Sequence, residues 1–61
     1  MKEINVTMWE VEPEEVAELA DGTEVLVHDT LTGRNEIKHA GKNKFSAAKR
    51  FVYLLFEERK K

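Results

Sequence analysis

The chain contains no cysteine, one proline, three glycines and one serine in 61 residues. Each scarcity excludes something. Without cysteine, no disulfide can staple a small fold and no thiolate can hold zinc. Such a chain suits a reducing compartment, so a cytoplasmic location is expected. Few glycines and prolines beside 41% hydrophobic residues argue for a folded domain over a disordered linker. Long apolar runs are also missing. The longest, Phe51–Phe56, falls far short of the roughly 20 residues that cross a bilayer, so no membrane partner is expected. The start, Met1-Lys2-Glu3, lacks the basic-then-apolar pattern of a secretion signal. The acceptor-like triplet Asn5-Val6-Thr7 is then read as a chance match.

Reactive groups are equally sparse. The one serine, Ser46, sits where a helix cap is expected. No nucleophile elbow, phosphate loop or dinucleotide fingerprint is present. The two histidines, His28 and His39, fall on opposite faces of the expected hairpin and cannot share an ion there without a register shift. Zinc wants three or four converging ligands, so neither a metal nor another cofactor is expected. The glutamates between Glu10 and Glu18 lie in a solvated stretch that offers no burial to shift a pKa for acid–base work. The chain is expected not to be an enzyme.

A single small domain over residues 1–61 is expected. A chain of this size buries only about 60% of its unfolded surface, so it needs a compact apolar cluster or extra core gained by association. Ile4–Met8 alternates apolar and polar residues as a half-buried strand does. Pro13, followed by Glu14 and Glu15, suits a helix start. Val16, Leu19 and Ala20 continue the helix for about two turns, and Asp21-Gly22 closes it. Thr23–Thr30 and Arg34–Ala40 read as two strands joined by the three-residue loop Leu31-Thr32-Gly33, with glycine at the left-handed position. That loop pairs Thr30 with Arg34, His28 with Glu36, Val27 with Ile37 and Val25 with His39. Val25, Val27 and Ile37 then share the core face, and Lys38, Leu26, His28, Glu36, Thr30 and Arg34 the other.

A final helix is expected from Phe45 to Glu58. Phe45, Ala48, Val52, Leu55 and Phe56 form its apolar stripe, widened by Ala47, Phe51 and Leu54. The resulting fold class is α+β, in the order β-α-β-β-α. It is a three-stranded, mostly antiparallel sheet with a long C-terminal helix packed on one face. The apolar arc is wider than one small sheet face covers, which marks Phe51 and Leu54 as candidate interface residues.

Charge is sorted along the chain. Met1–Asp29 holds one base against nine acids, and Thr30–Lys61 nine bases against three acids. The acids fit the first helix, where carboxylates favour the positive end of the dipole. The bases Arg34, Lys38, Lys42, Lys44, Lys49 and Arg50 gather around the start of the expected last helix, where cations oppose the macrodipole and an anion is welcome. The segment His28-Asp29-Thr30-Leu31-Thr32-Gly33-Arg34, followed by Phe45-Ser46-Ala47-Ala48-Lys49-Arg50, resembles the DNA-binding modules of integrase arms. That resemblance implies a three-stranded sheet, backed by a C-terminal helix, that enters a DNA groove. Gly41-Lys42-Asn43-Lys44 before an alanine-bearing helix also resembles the last helix of double-stranded-RNA-binding domains.

Two functions are therefore expected. One is a small nucleic-acid-binding or regulatory module in which the six bases contact phosphates of DNA or RNA. The other is a protein-interaction module: a self-associating domain such as a homodimer, or a small inhibitor of a larger machine. It would use the acidic arm or the apolar arc with Phe51 and Leu54.

Overall fold

The computed structural model describes Met1–Phe56 of the chain. The elements are β1 (Lys2–Asn5), β2 (Met8–Val11), α1 (Pro13–Val16), β3 (Glu24–Asp29), β4 (Asn35–His39) and β5 (Phe51–Phe56). The strands form one five-stranded sheet in the order β1-β2-β5-β3-β4, antiparallel at every junction. The fold is thus mostly β, with a helix of four residues. This corrects the expected α+β architecture of three strands and a long C-terminal helix.

The largest correction is β5. The expected last helix is instead an irregular segment over 45–50, with a turn at Lys49-Arg50, followed by a strand, while Glu57 and Glu58 lie outside the described residues. Six consecutive apolar residues satisfy a helical stripe and a strand equally well, so periodicity alone does not separate the two. Composition and pairing do. Phe51, Val52, Tyr53 and Phe56 are β-branched or aromatic and favour strands. Both edges of β5 also find partners, Val11↔Tyr53↔Val27 and Trp9↔Leu55↔Val25.

The first expected strand also divides. Asn5 Oδ1 accepts from the Thr7 N–H at 2.9 Å and lies 3.1 Å from the Thr7 hydroxyl, which folds Val6-Thr7 into a turn between β1 and β2. The first helix starts at Pro13 as expected but keeps only one turn. Glu15 accepts from the Glu12 backbone N–H at 2.8 Å and contacts the N-terminal ammonium. Those two donors, the backbone N–H first, hold the Glu15 carboxyl below its ordinary pKa.

The hairpin of β3 and β4 is where expected, but its register is one residue different. Its loop is Thr30–Gly33, bracketed by Asp29 N–H donating to Arg34 C=O at 2.8 Å. Asp29 Oδ1 accepts from the N–H groups of Leu31 and Thr32 at 2.9 and 3.4 Å, and Gly33 takes φ +77°. The extra loop residue changes the pairs to His28↔Asn35, Val27↔Glu36, Leu26↔Ile37 and Val25↔Lys38. A one-residue slip reverses the faces of a whole strand. Ile37 therefore leaves the expected core face and is 49% exposed.

The core occupies one side of the sheet. Val11, Val25, Val27 and Tyr53 point inward, and Val16 of α1 and Ala40 cover them, with Leu19, Phe45, Phe51 and Leu55 packed around. The segment after β4 crosses this face. It is anchored by the Tyr53 hydroxyl, which donates to Ser46 C=O and accepts from Ser46 N–H, both at 2.8 Å, while the Phe45 ring meets Tyr53 edge-on at 5.1 Å. Gly41, at φ +86°, lets this segment turn. A Cβ there would lie 2.7 Å from Asp21 Cγ. Among the described residues no helix is long and apolar enough to cross a membrane.

Two stability predictions follow from this packing. Tyr53→Phe keeps the ring but removes the partner of both Ser46 backbone groups, and is expected to cost about 1–3 kcal/mol in urea unfolding. Gly41→Ala combines a left-handed backbone with contact against Asp21 and is expected to cost about 1–2 kcal/mol from the backbone alone. Pairing it with Asp21→Gly should recover only the part due to contact.

Candidate functional site

Among the described residues, the side of the sheet away from α1 carries no covering element. Antiparallel partners share a face, so the ladders define its side-chain rows. The middle row runs Lys2, Glu10, Leu54, Leu26, Ile37 across all five strands. One side of it holds Met8 beside Phe56 and Glu24 beside His39; the other holds Val52, His28 and Asn35. The centre of this outer face is apolar: Met8, Leu26, Val52 and Leu54 are half-buried, while Phe56 and Ile37 are 51% and 49% exposed. Polar groups stand at its corners. His28 Nδ1 lies 2.6 Å from Asn35 Oδ1, and His39 Nε2 lies 3.9 Å from Glu24 Oε2. Lys2 faces Glu10 across the ladder at the far edge.

This arrangement relocates the residues singled out from the sequence. Leu54 stands in the middle of the outer face, but Phe51 does not. Odd spacing along β5 puts Phe51 on the inner side, stacked at 14° on Tyr53 with centroids 6.5 Å apart. The two histidines share the outer face, as the one-residue slip requires, but sit four ladder positions apart along β3 and β4, about 13 Å by strand rise. Among the described residues no group of three or more His, Asp or Glu is placed to hold a metal ion.

The six bases do not gather. Lys38 lies on the inner face opposite Val25. Arg34 and Arg50 stand at the loop end of the β3–β4 hairpin, while Lys42 and Lys44 follow the opposite end of β4, separated by a strand about 17 Å long. Lys49 lies in a cleft of about 330 Å³ beside Glu10 and Glu12. The helix start that was to collect an anion is replaced by irregular chain, and the resemblance to groove-binding modules loses the helix on which it rested.

Arg50 is engaged internally. Its Nε and Nη2 donate to the two carboxylate oxygens of Asp29 at 2.9 and 2.7 Å, and its guanidinium lies 5.1 Å from the Phe51 ring centre. The Thr30 N–H and hydroxyl both donate to the Arg50 carbonyl, at 2.8 and 2.7 Å. Such bidentate pairs are among the stronger charge-assisted bonds. Arg50 above all, then the Leu31 and Thr32 N–H groups, holds the Asp29 carboxyl well below the usual carboxylate range.

Met8, Leu26, Ile37, Val52 and Phe56 are the outer-face residues that the sequence reading did not assign to a site. Their signal is the lack of polar alternation in Phe51–Phe56: a strand solvated on one face alternates, whereas one covered on both reads as continuous apolar sequence. No family model matches the chain, and no curated protein or solved structure matches it either.

The Asp29–Arg50 clasp gives a pH prediction. A carboxyl whose folded-state pKa is depressed contributes stability that is present above its unfolded value, about 3.9, and is lost as pH falls below it. Acid titration of the wild type should therefore show a falling urea midpoint from about pH 4 downward. Asp29→Asn should lower the midpoint at neutral pH and flatten that fall, whereas Lys42→Ala and Lys44→Ala should leave both unchanged.

Proposed function

We propose that the chain is a protein-interaction module that docks through the outer face of its sheet. The observation that carries this reading is the outward row of β5: Val52, Leu54 and Phe56 are all apolar, and the neighbouring strands add Leu26, Ile37 and Met8. Contiguous apolar surface rimmed by polar residues marks interaction sites more often than it marks ordinary solvated surface. A chain of this size also has reason to cover it, because the inner core is built from few residues.

Phosphate contact through Arg34, Lys38, Lys42, Lys44 and Lys49 is the other reading, and less supports it. The bases flank the inner side and both ends of β4, and Arg50 is held by Asp29. A cytoplasmic setting accords with a cysteine-free chain that needs no oxidising compartment to fold.

Site-specific photocrosslinking in cells tests the docking reading. A photoreactive side chain at position 37 samples the outer face, and one at position 44 samples the basic segment. Protein adducts from position 37, with few from position 44, are the expected result. Nucleic-acid adducts from position 44 with none from position 37 would transfer the function to the phosphate reading.

A further inference from the structure

We infer that the chain pairs with a second copy of itself edge to edge, β4 against β4, antiparallel and centred on Ile37. The two five-stranded sheets then continue into one another. This contact uses an edge and not the outer face, and so goes beyond the docking reading.

Its first support is the backbone of β4. This strand ends the sheet order, so among the described residues one of its edges has no strand beside it. Antiparallel ladders alternate between hydrogen-bonded and non-bonded pairs. Asp29 N–H donates to Arg34 C=O and Ala40 N–H to Thr23 C=O, both at 2.8 Å. Steps of two between them make Val25/Lys38 and Val27/Glu36 bonded pairs as well. The backbone groups of Asn35, Ile37 and His39 therefore point away from β3, toward the open edge. His39 C=O is held there by the Lys42 N–H and by Asn43 Nδ2, both at 3.3 Å. The outward N–H groups of all three residues, and the C=O groups of Asn35 and Ile37, lie outside the β3 ladder. The opposite edge strand differs. The register of β1 shifts between Glu3 and Asn5, and irregularities of that kind turn an edge away from pairing. β4 keeps an unbroken register from His39 to Asn35.

Charge is the second support. The strand reads Asn35-Glu36-Ile37-Lys38-His39. Turned antiparallel upon itself about Ile37, it sets Glu36 against Lys38 of the second copy, and Lys38 against Glu36. Ile37 meets Ile37 as a bonded pair, which makes the two charged pairs non-bonded ones, where side chains lie closest. Asn35 meets His39, and Arg34 falls opposite Ala40, so no like charges face each other. Registers centred on Glu36 or on Lys38 set like charge against like charge and leave an outward residue unpaired. Neither Glu36 nor Lys38 makes an ion pair among the described residues. A lysine on an edge strand ordinarily keeps other strands away. Here a glutamate two residues earlier supplies its match in an antiparallel copy, the self-complementarity that an isologous contact requires.

The axis stands perpendicular to the sheet, so both outer faces lie on the same side. Ile37, 49% exposed, gains a neighbour there. The row Leu54-Leu26-Ile37 runs on through Ile37, Leu26 and Leu54 of the second copy. Pairing thus doubles the apolar face proposed for docking. An edge about 17 Å long is a small contact, in the class of weak, exchanging complexes.

Sedimentation of the purified chain from micromolar to about 1 mM tests this. A dimer should populate the upper part of the range. Glu36→Lys and Lys38→Glu, taken singly, each turn two attractive pairs into two repulsive ones. Each should weaken self-association about tenfold or more. Glu36 is exposed, so circular dichroism of Glu36→Lys should show the fold retained. An equal mixture of the two variants should recover the wild-type affinity, because every facing pair is again of opposite charge. The double variant Glu36→Lys/Lys38→Glu, which keeps the composition and net charge of the chain, should recover it too.

A wild type that stays monomeric throughout, a dimer indifferent to Glu36→Lys, or a double variant as weak as the single ones overturns the inference. The docking reading fails separately. A chain monomeric to about 1 mM that still yields adducts with another protein from position 37 removes the edge pairing and leaves the docking face. Adducts of twice the chain's mass from position 37 report the edge pairing instead.

Discussion

Strand β5 is hydrogen-bonded along both edges, and the rest of the structure depends on that pairing. On one side stands the β1–β2 hairpin and on the other the β3–β4 hairpin, and in the sheet the two meet only through β5. Its inner residues Phe51, Tyr53 and Leu55 join the valines of both hairpins into one cluster. Met8 pairs with Phe56, so the sheet closes across most of the chain. Late, long-range closure of this kind slows folding, because loop entropy is lost before the contacts that offset it form. The entry of β5 is fixed by side chains rather than by a tight turn: Asp29 grips Arg50, Thr30 holds the Arg50 carbonyl, and Tyr53 ties back to Ser46. These contacts aim the strand into the gap between β2 and β3.

A central strand that is apolar on both faces places a demand on its surroundings. The inner demand is met by one helical turn and the crossing segment that carries Phe45, the only cover that 56 described residues supply beyond the sheet itself. The outer demand is not met among the described residues. Large proteins meet it with a second layer of helices or strands. Here the strands and their connections use most of the described residues, and the proposed docking supplies the second layer from another molecule. That limit links the size of the chain to its proposed function.

Much of the local structure was legible in the residues. The apolar run Val25-Leu26-Val27 between polar residues, glycine at the end of the loop, and proline followed by two glutamates locate β3, the hairpin and the start of α1. The register was not legible, because Thr30 adopts either strand or loop geometry without changing the apparent pattern. What decides is the Asp29 side chain, which caps Leu31 and Thr32 and so claims one more residue for the loop. Nor was β5 legible as a strand, since six apolar residues in a row carry no period. The candidate site failed in parts for the same two reasons. Leu54 was found because it is apolar in any reading. Phe51 was grouped with it because a helix puts them on one arc, whereas a strand puts them on opposite faces.

The register slip also moves the functional argument. With a three-residue loop, Lys38 and Arg34 share the outer face with His28 and Glu36, and the surface reads as a polar one fit for a phosphate backbone. With a four-residue loop, Lys38 turns inward beside Val25, and Ile37 takes its place beside Leu26. A polar face becomes an apolar one with no change in composition. The charge split along the sequence then loses much of its force as evidence for a nucleic-acid partner. One strong base from the second half is already matched by the last acid of the first, Arg50 to Asp29, and the N-terminal ammonium is matched by Glu15. Part of the sorting by sequence is thus satisfied within the fold, while the apolar outer row has no such internal partner among the described residues.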